Sequence, residues 1–155
     1  MDTIILNYIY YLGDIMNFEK CCGAVLFTKL NNNNIYFLLV QGLKGTYGFP
    51  KGHAEQNESE HETAYREIFE ELGIKPKFID GFSSNDEYLL SDSVTKKVKY
   101  FLGEYYNQKI ILKRDELLSA PVLSYDMSLQ ILQFDSLKRI LTEAHEFLKN
   151  QEQPK

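Results

Sequence analysis

A chain of 155 residues, 44% hydrophobic and rich in Phe and Tyr, is long enough for one packed core and too short for two comfortable domains. Its formal charge of −5 argues against general nucleic-acid binding, so a polyanion would have to be met through bound cations and a few placed lysines. The two adjacent cysteines, Cys21 and Cys22, have neither a zinc spacing nor a secreted disulfide pattern; on a strand they point to opposite faces as buried free thiols.

Taken in chain order, the first segment, residues 1–15, is apolar, but it carries Asp2, has no Lys or Arg before Lys20 and lacks a small-residue cleavage site. It is also too short to span a bilayer, so a cytoplasmic protein is expected. The segment precedes Met16 and reads as an extension, suited by its β-rich apolar content to an added edge strand or a dimer contact. A single domain over residues 16–150 and a frayed tail over 151–155 complete the expected organisation. Cys21–Thr28 and Ile35–Gln41 read as strands of a hairpin closed by the polar turn Asn31–Asn34, and a loop over Gly42–Thr46 leads into Tyr47–Lys51. Ser59 with Glu62 is a capping box and Gly73 a stop signal, which predicts a helix over Glu60–Leu72. Strands are expected over Phe78–Gly81, Glu87–Leu90 and Lys97–Tyr105. Asp135 is placed to cap a last helix whose Leu137, Ile140, Leu141, Ala144, Phe147 and Leu148 form a core stripe.

The helix over 60–72 carries two faces. Ala64, Ile68 and Leu72 recur every fourth residue and must pack on something. Glu67, Glu70 and Glu71 stand at i, i+3 and i+4 on another face, where like charges repel by roughly 0.2–0.5 kcal/mol per pair. Taken alone, this triad reads more readily as a solvated acidic surface. Carboxylates converging near a cleft are a different matter: they call for a cation, and oxygen donors without Cys or His select magnesium, manganese or calcium over zinc. The neighbours favour that second reading. Gly52 has no side chain to keep its carbonyl from an ion, Arg66 precedes Glu70 by four residues and can hold its carboxylate, and Ile74 is placed to pack back on Phe69 past the cap.

Gly52, Glu58, Arg66, Glu67, Ile68, Glu70, Glu71, Gly73 and Ile74 together stand at the spacing of a Nudix box, and the segment resembles that of Nudix hydrolases. With average residue usage such a match arises by chance with a probability on the order of 10⁻⁹. The resemblance implies an α/β/α sandwich with a mixed β-sheet and metal-dependent hydrolysis of a diphosphate. It makes Glu67, Glu70 and Glu71 ligands of Mg2+ or Mn2+, with the Gly52 carbonyl as a further ligand, counts Arg66 with the three glutamates as catalytic, and gives Glu67 as an aid to deprotonating water. Three further stretches, Tyr47–His53 with Glu55, Lys96–Glu104, and Gln133-Phe134 with Ala144–Leu148, resemble the asymmetrical diadenosine tetraphosphate hydrolases. That resemblance implies a small-molecule nucleoside polyphosphate as partner, split into ATP and AMP. Lys51 and Lys96 would then contact the phosphate chain, and Tyr88 would stack on adenine with Phe134 or Tyr125. His53 is either a ligand contact or a loop-structuring hydrogen bond. Tyr47 stands where that family usually has Trp, and Thr46 where some members place His. Alternatives within the fold are hydrolysis of RNA 5′-triphosphate ends, inositol polyphosphates or nucleoside diphosphate sugars, and nucleotide sensing without turnover.

Overall fold

The computed structural model describes residues 17–152, so the expected extension over 1–15 and the last three residues of the expected tail lie outside the described residues. β1 (Asn17–Leu30) is the spine of the sheet. It turns at Asn31, Asn32 and Asn33, all at positive φ, and Asn34 Nδ2 donates to the Asn31 carbonyl at 2.8 Å. Asparagine is among the side chains that enter the left-handed region most readily, which is why this run can close so tight a hairpin. β2 (Asn34–Leu38) follows antiparallel to β1.

The run expected as one strand over Ile35–Gln41 is two. The Leu39 N–H still bonds the Pro121 carbonyl at 2.9 Å, one position beyond the Leu38–Val122 pair, but Pro121 has no N–H to return, and β3 (Val40–Gly42) joins a separate three-stranded sheet with β4 (Tyr47–Gly48) and β9 (Leu117–Ser119). The main sheet runs β10 (Val122–Ser124), β2, β1, β8 (Val94–Glu104), β6 (Lys77–Phe78), with β5 (Lys51–His53) also on β1 and β7 (Ser84–Ser91) also on β8. β1 and β8 are parallel from Asn17↔Val94 to Phe27↔Glu104, and the other pairings are antiparallel, giving the expected mixed sheet.

Helices cover both faces, as an α/β/α sandwich requires. α1 (Glu60–Leu72) lays Ala64, Ile68 and Leu72, all fully buried, against Cys22, Ala24 and Leu26 of β1. Its start and stop match the sequence reading: Ser59 and Glu62 form both bonds of the capping box, and Gly73 closes the helix at φ 67°. Ile74 is fully buried in the same layer, and Phe69 stays half exposed beneath Lys75. On the other face α2 (Tyr125–Ile131) and α3 (Asp135–Gln151) bury Leu137, Ile140, Leu141, Ala144 and Leu148 with Cys21, Val25 and Tyr100. Cys21 and Cys22 are thus free, buried and on opposite faces.

Asp135 does not cap α3. Phe134 holds the cap position without a side-chain bond, and Asp135 sits inside the first turn, where its charge still suits the helix dipole. The strand expected over Phe78–Gly81 ends at Phe78, because Gly81 at φ 93° turns the chain toward β7. Among the described residues no helix is long and apolar enough to cross a membrane.

Candidate active site

A cavity of about 440 Å³ is lined by residues of the small three-stranded sheet, of β5, β7 and β8, of the C-terminal end of α1 and of the start of α3. Its lining comes from distant parts of the chain: Tyr47 and Lys51 from the segment before the helix, Glu71 from α1, Asp86 and Tyr88 from β7, Tyr100 from β8, and Phe134 from the entry to α3.

Gly23 and Gly52 position the segment that carries Lys51. The Ala24 N–H bonds the Pro50 carbonyl at 3.2 Å, and the backbones lie so close that a Cβ on Gly23 would collide with the Pro50 oxygen and reach Lys51 Cβ at 2.7 Å. Gly52, opposite Cys22, abuts the helix, and a Cβ there would fall on the carboxylate of Glu67. Only glycine permits that approach.

Arg66 organises the acidic side and pairs with Glu70, as their i, i+4 spacing suggests. Its bond to Glu70 is 3.3 Å, whereas Nε reaches Glu58 at 2.6 Å and Nη1 reaches Glu67 at 2.8 Å. Nη2 also donates to the His53 carbonyl at 2.9 Å, so one guanidinium ties the loop, the residue before the cap and the helix together. The pair holds the Glu58 carboxyl down to about 2, against an ordinary value of 4.5. Because the folded carboxyl titrates below the unfolded one, the pair's stabilisation is complete above about pH 4.5 and is lost as the pH falls toward 2. We expect the denaturation midpoint of Glu58→Gln to lie below that of the wild type at neutral pH. The gap should close as both are acidified toward pH 2, and a constant gap across that range would contradict the assignment.

Glu67 and Glu71 differ in environment. Burial raises the Glu67 carboxyl, opposed by Arg66. Glu71 is 8% exposed, and burial, then Glu67 and Glu116, push its carboxyl up to about 8. Its Oε2 is buried with no hydrogen-bond partner among the described residues. Glu70, in contrast, is exposed and does not line the cavity. The three glutamates therefore do not converge as the side chains stand. Glu67 and Glu70 turn to Arg66, Glu71 faces the cavity, and among the described residues no trio of His, Cys, Asp or Glu is gathered as a ligand set.

An orphaned carboxylate oxygen and a glycine pressed against a second carboxylate are nonetheless what a hard divalent cation needs, since the charge repulsion and the unpartnered oxygen would both be relieved by it. Glu67, Glu71 and the Gly52 carbonyl are the groups placed to hold one. Glu116 joins them: the stretch after β8 bonds back onto the helix end, Ile111 N to Leu72 O and Lys113 N to Glu71 O, and brings a carboxylate beside Glu67 and Glu71. Nothing local in the sequence marks Glu116, a glutamate more than forty residues from the helix.

The basic and aromatic residues sort differently. Lys51 is largely buried, and desolvation, then the neighbouring Lys96, lowers its pKa; Lys96 lies beside both Lys51 and Tyr88. Tyr88 and Phe134 line the cavity and are 38% and 54% exposed. Tyr125 is elsewhere, stacked on His145 at 3.8 Å with its hydroxyl on Thr142. His53 points away from the cavity, its Nε2 held by Glu19 at 2.9 Å. Gln133, next to Phe134, takes the Tyr47 N–H at 3.1 Å and so ties two walls of the cavity together.

The NUDIX domain matches residues 22–144, a span that includes the glycines, Arg66 and the glutamates just described. The chain belongs to the Nudix family. It is 35% identical over 141 residues to the asymmetrical bis(5′-nucleosyl)-tetraphosphatase of Sus scrofa, covering 83% of this chain and 95% of that one. Among solved structures it is similar to an Ap4A hydrolase binary complex from C. elegans, with a TM-score of 0.78, 25% identity, and coverage of 85% of this chain and 98% of that one. The NUDIX domain of Shewanella oneidensis NrtR complexed with ADP ribose shares the fold, at a TM-score of 0.72 and 20% identity over 96% of this chain and 99% of that one. The protein is a Nudix hydrolase with an α/β/α architecture, and relatives named for dinucleoside tetraphosphate hydrolysis stand among those most similar to it.

Proposed function

We propose that this Nudix hydrolase cleaves a phosphoanhydride bond in a dinucleoside polyphosphate, diadenosine tetraphosphate to ATP and AMP, with magnesium as its cation and manganese as a substitute. The observation that carries this reading is that Lys51 and Glu71 line the same cavity as the aromatic side chains Tyr47, Tyr88 and Phe134. Lys51 and Lys96 bind phosphate oxygens as compact charges. Tyr88 and Phe134 supply faces for a base, worth about 1–3 kcal/mol per stacked base. Glu67, Glu71 and the Gly52 carbonyl, with Glu116 beside them, would hold the cation, Arg66 would set Glu67, and Glu70 would reach the cation only by turning away from Arg66. Bound there, the cation would neutralise phosphate charge and make water easier to deprotonate. Water attacks phosphorus, the bond to the leaving nucleotide breaks, and the proton passes to a carboxylate, Glu67 or Glu116.

Incubation with magnesium and diadenosine tetraphosphate in oxygen-labelled water tests the reading. Unequal products, ATP and AMP with one labelled, are expected, and a chelator should abolish them. Two molecules of ADP would count against it. So would turnover confined to RNA 5′-triphosphates, inositol polyphosphates or nucleoside diphosphate sugars, or tight nucleotide binding without product.

A further inference from the structure

One charged group in the cavity has no place in that chemistry. Along β7, Ser84, Asp86 and Tyr88 alternate onto the same face. Ser84 is engaged, donating to Glu143 and lying 3.3 Å from Arg139. Tyr88 is the aromatic wall. Asp86, between them and opposite Val98 of β8, also lines the cavity. Among the described residues its carboxylate accepts only the N–H of the next residue, Glu87, at 2.9 Å, and forms no ion pair.

A carboxylate repels phosphate, so the polyphosphate is not what Asp86 itself meets. Lys96 is the β8 partner of Tyr88 and lies beside Lys51, whereas Asp86 is paired two positions away with Val98, so the lysines gather at the Tyr88 end of β7 and Asp86 lies past them. What a carboxylate beside a stacking platform complements is hydrogen-bond donors. Two oxygens in one plane fit two adjacent donors best, and a neutral group offering an acceptor there is rejected.

We propose that Asp86 is a specificity-determining residue that reads a pair of adjacent donors on the nucleoside stacked against Tyr88. The inference rests on the nucleoside polyphosphate reading above. Two parts of a nucleotide offer such a pair: the cis-diol of ribose, and the N1–H with the exocyclic amino group of guanine. The edge of adenine offers an amino donor next to an acceptor nitrogen and fits poorly. A matched bidentate pair at a base edge discriminates by roughly ten- to a hundredfold.

The test compares kcat/KM of wild type and Asp86→Asn on three substrates: diadenosine tetraphosphate, diguanosine tetraphosphate, and the diadenosine compound lacking its 2′ and 3′ hydroxyls. In the wild type, guanine should be preferred to adenine, or the hydroxyl-free compound disfavoured, by about tenfold or more, carried mainly by KM. Asp86→Asn should collapse that ratio, and the ratio that collapses identifies the donor pair. Identical ratios in the two proteins for all three substrates would overturn the inference. Binding of AMP, GMP and 2′,3′-dideoxy-AMP by calorimetry gives the same ratios without turnover. If no dinucleoside polyphosphate is cleaved but the binding ratios still collapse in Asp86→Asn, the hydrolysis reading fails and the role of Asp86 stands. Thermal denaturation checks that Asp86→Asn folds, as expected for a side chain bonded only to its neighbour's N–H.

Discussion

Replacing Glu71 by glutamine should lower magnesium-dependent turnover by about a hundredfold or more, while the protein kept in chelator is at least as stable as the wild type. The two effects have one origin. Glu71 is buried, its Oε2 has no partner among the described residues, and Glu67 and Glu116 repel its charge, so without a cation the ionised carboxylate is a burden on the fold. Glutamine keeps the shape and sheds the charge. It also sheds a ligand, so magnesium should raise the denaturation midpoint of the wild type more than that of the variant. Turnover is measured on the dinucleoside substrate and stability by thermal melts with chelator and with magnesium. Wild-type turnover in Glu71→Gln would end the metal assignment; a large loss of stability in chelator would make Glu71 a structural residue instead.

The second large effect lies outside the Nudix box. Gly23→Ala should destabilise the protein by about 2–4 kcal/mol, because the added methyl meets backbone, the Pro50 carbonyl, and not a side chain that can swing aside. The strand must move, and what moves with it is the bond from Ala24 to Pro50 and the placement of Lys51 and Gly52. Residual folded protein should therefore show impaired turnover as well. Chemical denaturation and steady-state kinetics on the same preparation check both. A variant of wild-type stability would show that β1 and β5 can separate without penalty.

The elements that could be read from sequence are those whose signals are local. The capping box at Ser59 and Glu62 and the stop at Gly73 are decided within a few residues, and α1 begins and ends where they say. The stripes of α1 and α3 follow from helical periodicity alone. What escaped notice depends on partners far along the chain. The break falls at Leu39, whose register partner Pro121 accepts its N–H but has none to return, and no pattern in the strand itself announces that. α2 is a seven-residue turn of helix capped by Ser124, too short for periodicity to register.

The candidate site divides in the same way. Gly52, Arg66, Glu67 and Glu71 belong to one contiguous motif, so their neighbourhood was legible, and the pairing of Arg66 with Glu70 follows from their spacing, whereas its shorter bonds to Glu58 and Glu67 do not. A helical spacing rule ranks partners only within the helix, and Glu58 precedes it. Phe134 and Tyr125 were equivalent candidates from sequence; packing separates them, since Tyr125 is stacked beneath α3 on His145 while Phe134 lines the cavity. Glu116 and Asp86 each stand beside a second acid, Asp115 and Glu87, and only the fold distinguishes them, one beside Glu67 and Glu71 and the other in the cavity wall.

The parallel alignment of β1 with β8 bears on how the molecule assembles. Their eleven paired positions join residues some seventy-seven apart, so the loop entropy of bringing them together falls late, after the first hairpin and the box helix can already have formed on local contacts. On the ribosome, one flank of the central strand therefore waits bare until Glu104 has been synthesised. Chains stalled before that point present an open edge to any neighbour able to pair with it.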